Sequence, residues 1–214
     1  MSNHPLATRL RESTNSLHRI AERSRLMKRL LGGRLEREAY CRLLRNLHVL
    51  YATLEEALER RPHDALIGSL GLPRLYRTPA LAADLECLNG TGWSALPVTQ
   101  SMTEYQSHIE QLGRENRLLL VAHAYVRYMG DLSGGQLLRD IVRKAWGLHG
   151  ETGTAFFSFS GSGDAGTLKD DFRSALNGLH CNPATEDRIV DEARTAFGFH
   201  VRMFEELDGA VATG

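Results

Sequence analysis

Apolar residues recur every three or four positions along almost the whole of this 214-residue chain. A period near 3.6 gives a helix one apolar stripe to bury, whereas a half-buried strand needs strict alternation. The only alternating stretch is AFFSFS at 155–160, and it is short. The chain is therefore expected to be all-α, with helices in two layers forming a single domain over 1–214 and a helical core at about 6–208. Leu6, Leu10, Leu17 and Ala21 share one face of a first helix. Ser24 is placed to cap a second, which Gly32-Gly33 would end. A long third helix runs through Tyr40, Leu47, Leu54 and Leu58 and should stop at Pro62. Thr78-Pro79 reads as a cap followed by proline at the first helical position, in a helix that closes at Asn89-Gly90. Met102, Tyr105, Ile109 and Leu112 mark another helix, and residues 115–148 stay periodic for over thirty positions. After a Gly- and Ser-rich loop at 150–166, Leu168, Phe172 and Leu176 begin the next helix. Ile189, Ala193, Phe197, Val201 and Phe204 belong to the last.

Composition narrows the function. Lys+Arg 26 balance Asp+Glu 26, which argues against a dedicated nucleic-acid binder. Cys41, Cys87 and Cys181 are odd in number and widely spaced, with no CxxC or CxxCH. Zinc ribbons, thioredoxin-like redox pairs and covalent c-type haem are thereby disfavoured, and a reducing cytoplasm is the expected location. The N-terminus has no apolar signal region, the C-terminus has no hydrophobic tail, and the apolar run at 118–126 is interrupted by His123. A soluble protein without a membrane anchor is expected.

Nine histidines are spread so that no two lie closer than 14 residues. HExxH is absent, and no Glu is followed three residues later by His, so a metal held by several local ligands is not expected. One histidine on the metal of a bound cofactor remains open. His18 suits that role, lying about 80° around the first helix from Leu10, at the edge of the apolar stripe. Arg11 and Glu22 flank it on the polar side. Position alone also fits a half-buried surface histidine. His48 and His123 read as core or helix-surface residues. His200, one turn from Phe197 and Phe204, could face a pocket or simply pack.

The most informative stretch is YVRYMGDLSGGQLLRDIV at 125–142. Gly130, Gly134 and Gly135 interrupt a helix whose apolar phase continues on both sides. Each interior glycine costs roughly 0.5–1 kcal/mol relative to alanine, so three need an offsetting reason. Gly130 and Gly134 are four apart and would leave one strip of main chain bare, where a flat ligand could approach and the helix could bend. An interhelix loop and close helix packing are the other readings. No strand precedes these glycines, and the spacing fits no phosphate loop. Arg127 and Asp131 flank the strip at an i,i+4 spacing that also suits a surface ion pair. Lys169 and Arg173 could clamp an anionic ligand edge or could simply face solvent.

RYMGDLSGGQLL, with LRESTNSLHRIAE upstream at 10–22, closely resembles the signature of the haem oxygenase family, and the resemblance covers roughly residues 6–208. It implies oxidative opening of haem, both substrate and cofactor, to biliverdin, carbon monoxide and ferrous iron with dioxygen as co-substrate. The alpha-meso edge is the expected site. The resemblance makes His18 the axial iron ligand and Glu22 the group near its second nitrogen. Gly130 and Gly134 touch the opposite haem face, and Asp131 orders distal water with Tyr51 and Arg127. Arg11, Tyr125, Lys169 and Arg173 meet the propionates, while Phe197 and Phe204 wall the pocket. Asn15, Val126 and His200 depart from residues seen in some relatives, and His200 would alter the distal hydrogen bonds. The resemblance points to the soluble bacterial type, with a ferredoxin or flavoprotein reductase as electron donor and a monomer or weak dimer as the assembly. A non-catalytic haem carrier or sensor and a helical interaction module are the competing readings.

Overall fold

A computed structural model describes residues 4–60 and 65–211. Its helices are α1 (Leu6–Glu22), α2 (Arg25–Leu31), α3 (Arg37–Glu59), the single turn α4 (Ala65–Gly68), α5 (Thr78–Asn89), α6 (Gln100–Glu115), α7 (Leu120–Trp146), α8 (Ala165–Asn177) and α9 (Pro183–Val211). No strand occurs among the described residues. The all-α expectation holds. Two hubs organise the core: α9 lies against α1, α2, α6 and α7, while α3 packs on α5 and α6 and also meets α7 and α9. Leu10, Leu44, Leu54, Tyr105, Ile109 and Ala193 are fully buried where these faces meet. None of the described helices is long and apolar enough to cross a membrane.

Local chemistry sets most helix ends. The Ser24 side chain accepts from the Met27 amide at 3.2 Å, as its position suggested, and α2 stops at Gly32. Pro62, expected to stop α3, lies outside the described residues. Thr78 is not a cap. It is the first residue of α5, and the orphan amides of Arg77 and Thr78 are taken instead by the Glu55 carboxylate of α3, at 2.6 and 3.3 Å. A carboxylate 22 residues upstream does the work usually done by the residue before the helix.

The AFFSFS segment forms one 3-10 turn (Ala155–Phe157), which puts Phe156, Phe157 and Phe159 into the core. The amides of Ala155 and Phe156 donate to the two oxygens of Asp84 at 2.7 and 2.8 Å, so Asp84 pins the loop to α5. Burial outweighs those two hydrogen bonds and brings the Asp84 carboxyl up to about 6. The folded chain thus holds this proton more tightly than the unfolded chain does. The contribution of Asp84 to stability is therefore largest below about pH 4 and is lost as pH rises through 6. Between pH 7 and pH 4, the wild type should gain up to about 3 kcal/mol relative to Asp84→Asn, measured by urea unfolding of both proteins at each pH.

Candidate active site

Helix α7 is continuous through all three glycines, which excludes the interhelix-loop reading of GDLSGG. Their roles differ. A Cβ at Gly135 would make ordinary contact, 3.6 Å, with the Phe157 carbonyl oxygen, so this position lies against the 155–157 turn rather than on the bare strip. A Cβ at Gly130 or Gly134 would meet nothing within 4 Å. That bare strip faces a crevice whose other side is α1, with Phe197, His200 and Phe204 of α9 along it. Since space exists, Gly130→Ala should raise stability by about 0.5–1 kcal/mol through helix propensity. It should also weaken any flat ligand resting on the strip. Thermal unfolding of the ligand-free protein and a ligand titration would register the two opposite effects.

The crevice has two connected chambers, of about 230 and 570 Å³, which share His18, Val126, Gly130 and Phe197. These volumes suit a small-molecule site. The inner chamber is mostly apolar, with Leu43, Leu44 and Leu47 of α3 on its wall. At its edge Leu31 and Leu137 are exposed, Leu137 by 61%, so the apolar lining runs out to the surface. The outer chamber is lined by Arg11, Lys169 and Arg173 and by no carboxylate. Tyr125 lies in the same wall, close enough for Arg11 and Arg173 to act on its hydroxyl. Arg173 also pairs with Asp170 at 2.9 Å, but an exposed pair of this kind is weak enough to exchange for a ligand. The outer chamber is built for anions and the inner one for an apolar body.

On the α1 side, His18 Nδ1 lies 3.4 Å from Glu22 Oε2 one turn away, and the ring meets the Phe197 edge at 5.9 Å. The His18 side chain is 50% exposed to the crevice mouth. Glu22 stands beside Nδ1 and leaves Nε2 facing the crevice, where it could bind a metal.

Across the crevice, Asp131 is buried within a closed triangle. Arg127 Nη2 donates to Asp131 Oδ1 at 2.9 Å, Arg127 Nε donates to the Tyr51 hydroxyl at 3.0 Å, and that hydroxyl donates to Asp131 Oδ2. The Arg127 guanidinium also stands over the Tyr51 ring at 5.3 Å. Burial raises the Asp131 carboxyl above the ordinary range, against the pull of Arg127 and Tyr51. Burial raises the Tyr51 hydroxyl as well. Asp131 faces the inner chamber, while Tyr51 stands behind it. The i,i+4 pair is thus no surface ion pair, since burial and a third partner make it a rigid polar group beside apolar walls.

His200 is buried with both ring nitrogens unpartnered. Burial, then Arg127, then His123 drive its pKa well below the usual histidine range, so it stays neutral. An unpaired buried imidazole on a cavity wall is costly unless a ligand or solvent in that cavity completes its hydrogen bonds.

Every residue that the resemblance assigned to the site reaches this crevice, Tyr51 through Asp131, whereas His48 and His123 do not line it. The leucines of α3 and the Phe156-Phe157 wall were not singled out, because an apolar helical stripe looks the same whether it meets protein or ligand. The features together fit haem: one oriented imidazole, a bare main-chain strip opposite, apolar walls and a cationic mouth for carboxylates.

Comparisons agree with that chemistry. The Heme oxygenase family model matches residues 4–206. "Heme oxygenase 1" of Synechocystis is 37% identical over 205 residues, covering 95% of this chain and 85% of that protein. "Heme oxygenase 1" of Bos taurus is 39% identical over 208 residues, covering 95% and 72%. The crystal structure of heme oxygenase-1 from Synechocystis in complex with heme superposes with a TM-score of 0.92 at 36% identity, covering 98% and 95% of the two chains. The structure of heme oxygenase from Leptospira interrogans gives a TM-score of 0.90 at 34% identity, covering 95% and 100%. With two imidazoles, a bare strip of backbone and a buried carboxylate already disposed around the crevice, the match in sequence and in backbone is decisive: the chain belongs to the haem oxygenase family.

Proposed function

We propose that this protein binds haem between α1 and α7 and opens it oxidatively at the alpha-meso carbon to biliverdin, carbon monoxide and ferrous iron. The observation that carries the reading is the opposition of His18, with Glu22 beside it, to the side-chain-free strip at Gly130 and Gly134. When bound, haem supplies the iron that activates dioxygen and the macrocycle that is oxidised. His18 Nε2 would hold the haem iron, with Glu22 beside Nδ1 to orient the ring. Gly130 and Gly134 would present main chain rather than side chains to the haem, leaving room beside it for a small molecule such as dioxygen. Asp131, kept in place by Arg127 and Tyr51, holds ordered water and passes protons to the reacting face. His200 contributes a neutral, uncommitted imidazole to the same polar group. Arg11, Lys169, Arg173 and Tyr125 bind the propionates and so select which edge of the ring faces the polar side. Phe197 and Phe204 fill the walls and exclude bulk water.

Electrons come one at a time from a ferredoxin or flavoprotein reductase. We infer a single-domain protein, a monomer or weak dimer, at work in the cytoplasm, where Cys41, Cys87 and Cys181 stay reduced as free thiols.

Titration with haem should saturate at one equivalent. Reductant under air should then replace the haem absorbance with a bilin band, and chromatography should identify the alpha isomer of biliverdin. A haem spectrum unchanged after reduction in air would instead support a carrier or sensor. Failure to bind haem at all would support an interaction module.

A further inference from the structure

Nine widely spaced histidines hold no local metal motif, yet the fold gathers two of them around one carboxylate away from the haem crevice. His108 of α6, His123 of α7 and Glu192 of α9 place three donor atoms within 4.8 Å of one another. His108 Nε2 lies 2.7 Å and His123 Nε2 3.0 Å from the same oxygen, Glu192 Oε1. The sequence separations are 84 and 69 residues, so only the packing of three helices onto one another creates the cluster.

We propose that His108, His123 and Glu192 form a second site, for a single divalent late first-row transition ion such as zinc. The donor set is the argument. Two imidazoles and one carboxylate suit zinc and its neighbours, not the all-oxygen preferences of magnesium or calcium. Three protein ligands leave a fourth position for water, as in open zinc sites. The outer contacts are in place too. The Tyr105 hydroxyl sits 2.8 Å from His123 Nδ1 and fixes the buried ring, as metal-ligating histidines usually require. The Tyr105 ring is itself held by stacking on Phe199 at 4.5 Å. An entry path exists, since the His108 side chain is 28% exposed and lines a surface groove of about 430 Å³ with Glu104 and Gln111.

Without metal, both imidazoles carry their proton on Nε2 and donate it to Glu192, while the Tyr105 hydroxyl donates to His123 Nδ1. On metal binding each imidazole keeps one proton, moved to Nδ1, and Nε2 offers its lone pair to the ion. The His123–Tyr105 bond then reverses, with Nδ1–H donating and the hydroxyl accepting. Spacing ligands evenly around an ion takes only a small separation of groups that now touch.

The test is calorimetric titration of the full chain with zinc, in a Cys87→Ser background that removes the exposed thiol. One ion per chain is expected. The affinity should persist in His18→Ala, which separates this site from the haem crevice. It should fall tenfold or more in His108→Ala and in Glu192→Gln, and by about 10–100-fold in Tyr105→Phe. Cobalt added to the wild type should give the strong visible bands of a low-coordinate site. Zinc that fails to bind, zinc held equally by the two ligand variants, or only the weak spectrum of aqueous cobalt would each overturn the proposal.

Discussion

His18→Ala is expected to abolish biliverdin formation while leaving the fold nearly untouched. The His18 side chain is half exposed and makes one 3.4 Å contact with Glu22 and one edge contact with Phe197, so its removal should cost at most about 0.5 kcal/mol of stability. Its proposed chemical role is much larger. With the axial nitrogen gone, haem is still held by apolar walls and by Arg11, Lys169 and Arg173, so binding should weaken but persist. The iron would then take water or an adventitious ligand and lose the imidazole that sets its reactivity. Turnover should fall by more than the roughly 10–100-fold that follows loss of an outer hydrogen-bond partner of a ligating histidine. Glu22→Gln supplies that smaller comparison. The measurement is the iron–histidine stretch in resonance Raman spectra of the reduced complexes. If the stretch persists in His18→Ala, the axial ligand is another residue.

The glycines show how far the chain could be read before its structure. Their number and spacing inside one helical phase already called for an offsetting reason, and the continuous α7 with bare positions 130 and 134 supplies it. Sequence could not tell Gly135 from its neighbours, because its role depends on Phe157, which arrives from a loop 22 positions later. The helix periods were legible because burial of one stripe repeats locally. The start of α5 was not, because its cap is Glu55, reached only through tertiary packing. The same reason hid the Tyr51–Asp131–Arg127 triangle, whose longest leg spans 80 residues, and the joining of His108 and His123 on Glu192. Arg127 and Asp131 were visible as an i,i+4 pair, but their burial was not, and burial separates a buried polar triangle from a surface ornament. For those residues the family resemblance, not periodicity, pointed to the site.

Asp131→Ala is expected to separate haem binding from ring opening. The carboxylate faces the inner chamber beside Arg127 and is the acceptor that both Arg127 and Tyr51 share. Alanine leaves a buried guanidinium and a hydroxyl with a lost partner, at a cost of about 1–3 kcal/mol in stability. Haem affinity should change little, since the axial nitrogen, the glycine strip and the cationic mouth are untouched. Proton delivery should suffer most: a positioned acid-base group contributes about 10²–10⁴-fold, and bilin formation should fall by that factor. Asp131→Asn keeps the shape and one acceptor oxygen but loses the charge and cannot carry the proton, so it should resemble alanine in rate and lie between alanine and the wild type in stability. Single-turnover absorbance with reductant under air, run beside thermal unfolding of all three proteins, reads both quantities. If Asp131→Asn produces biliverdin at the wild-type rate, the proton path lies elsewhere, and His200, a buried imidazole on the same wall with both nitrogens unpartnered, becomes the first place to look.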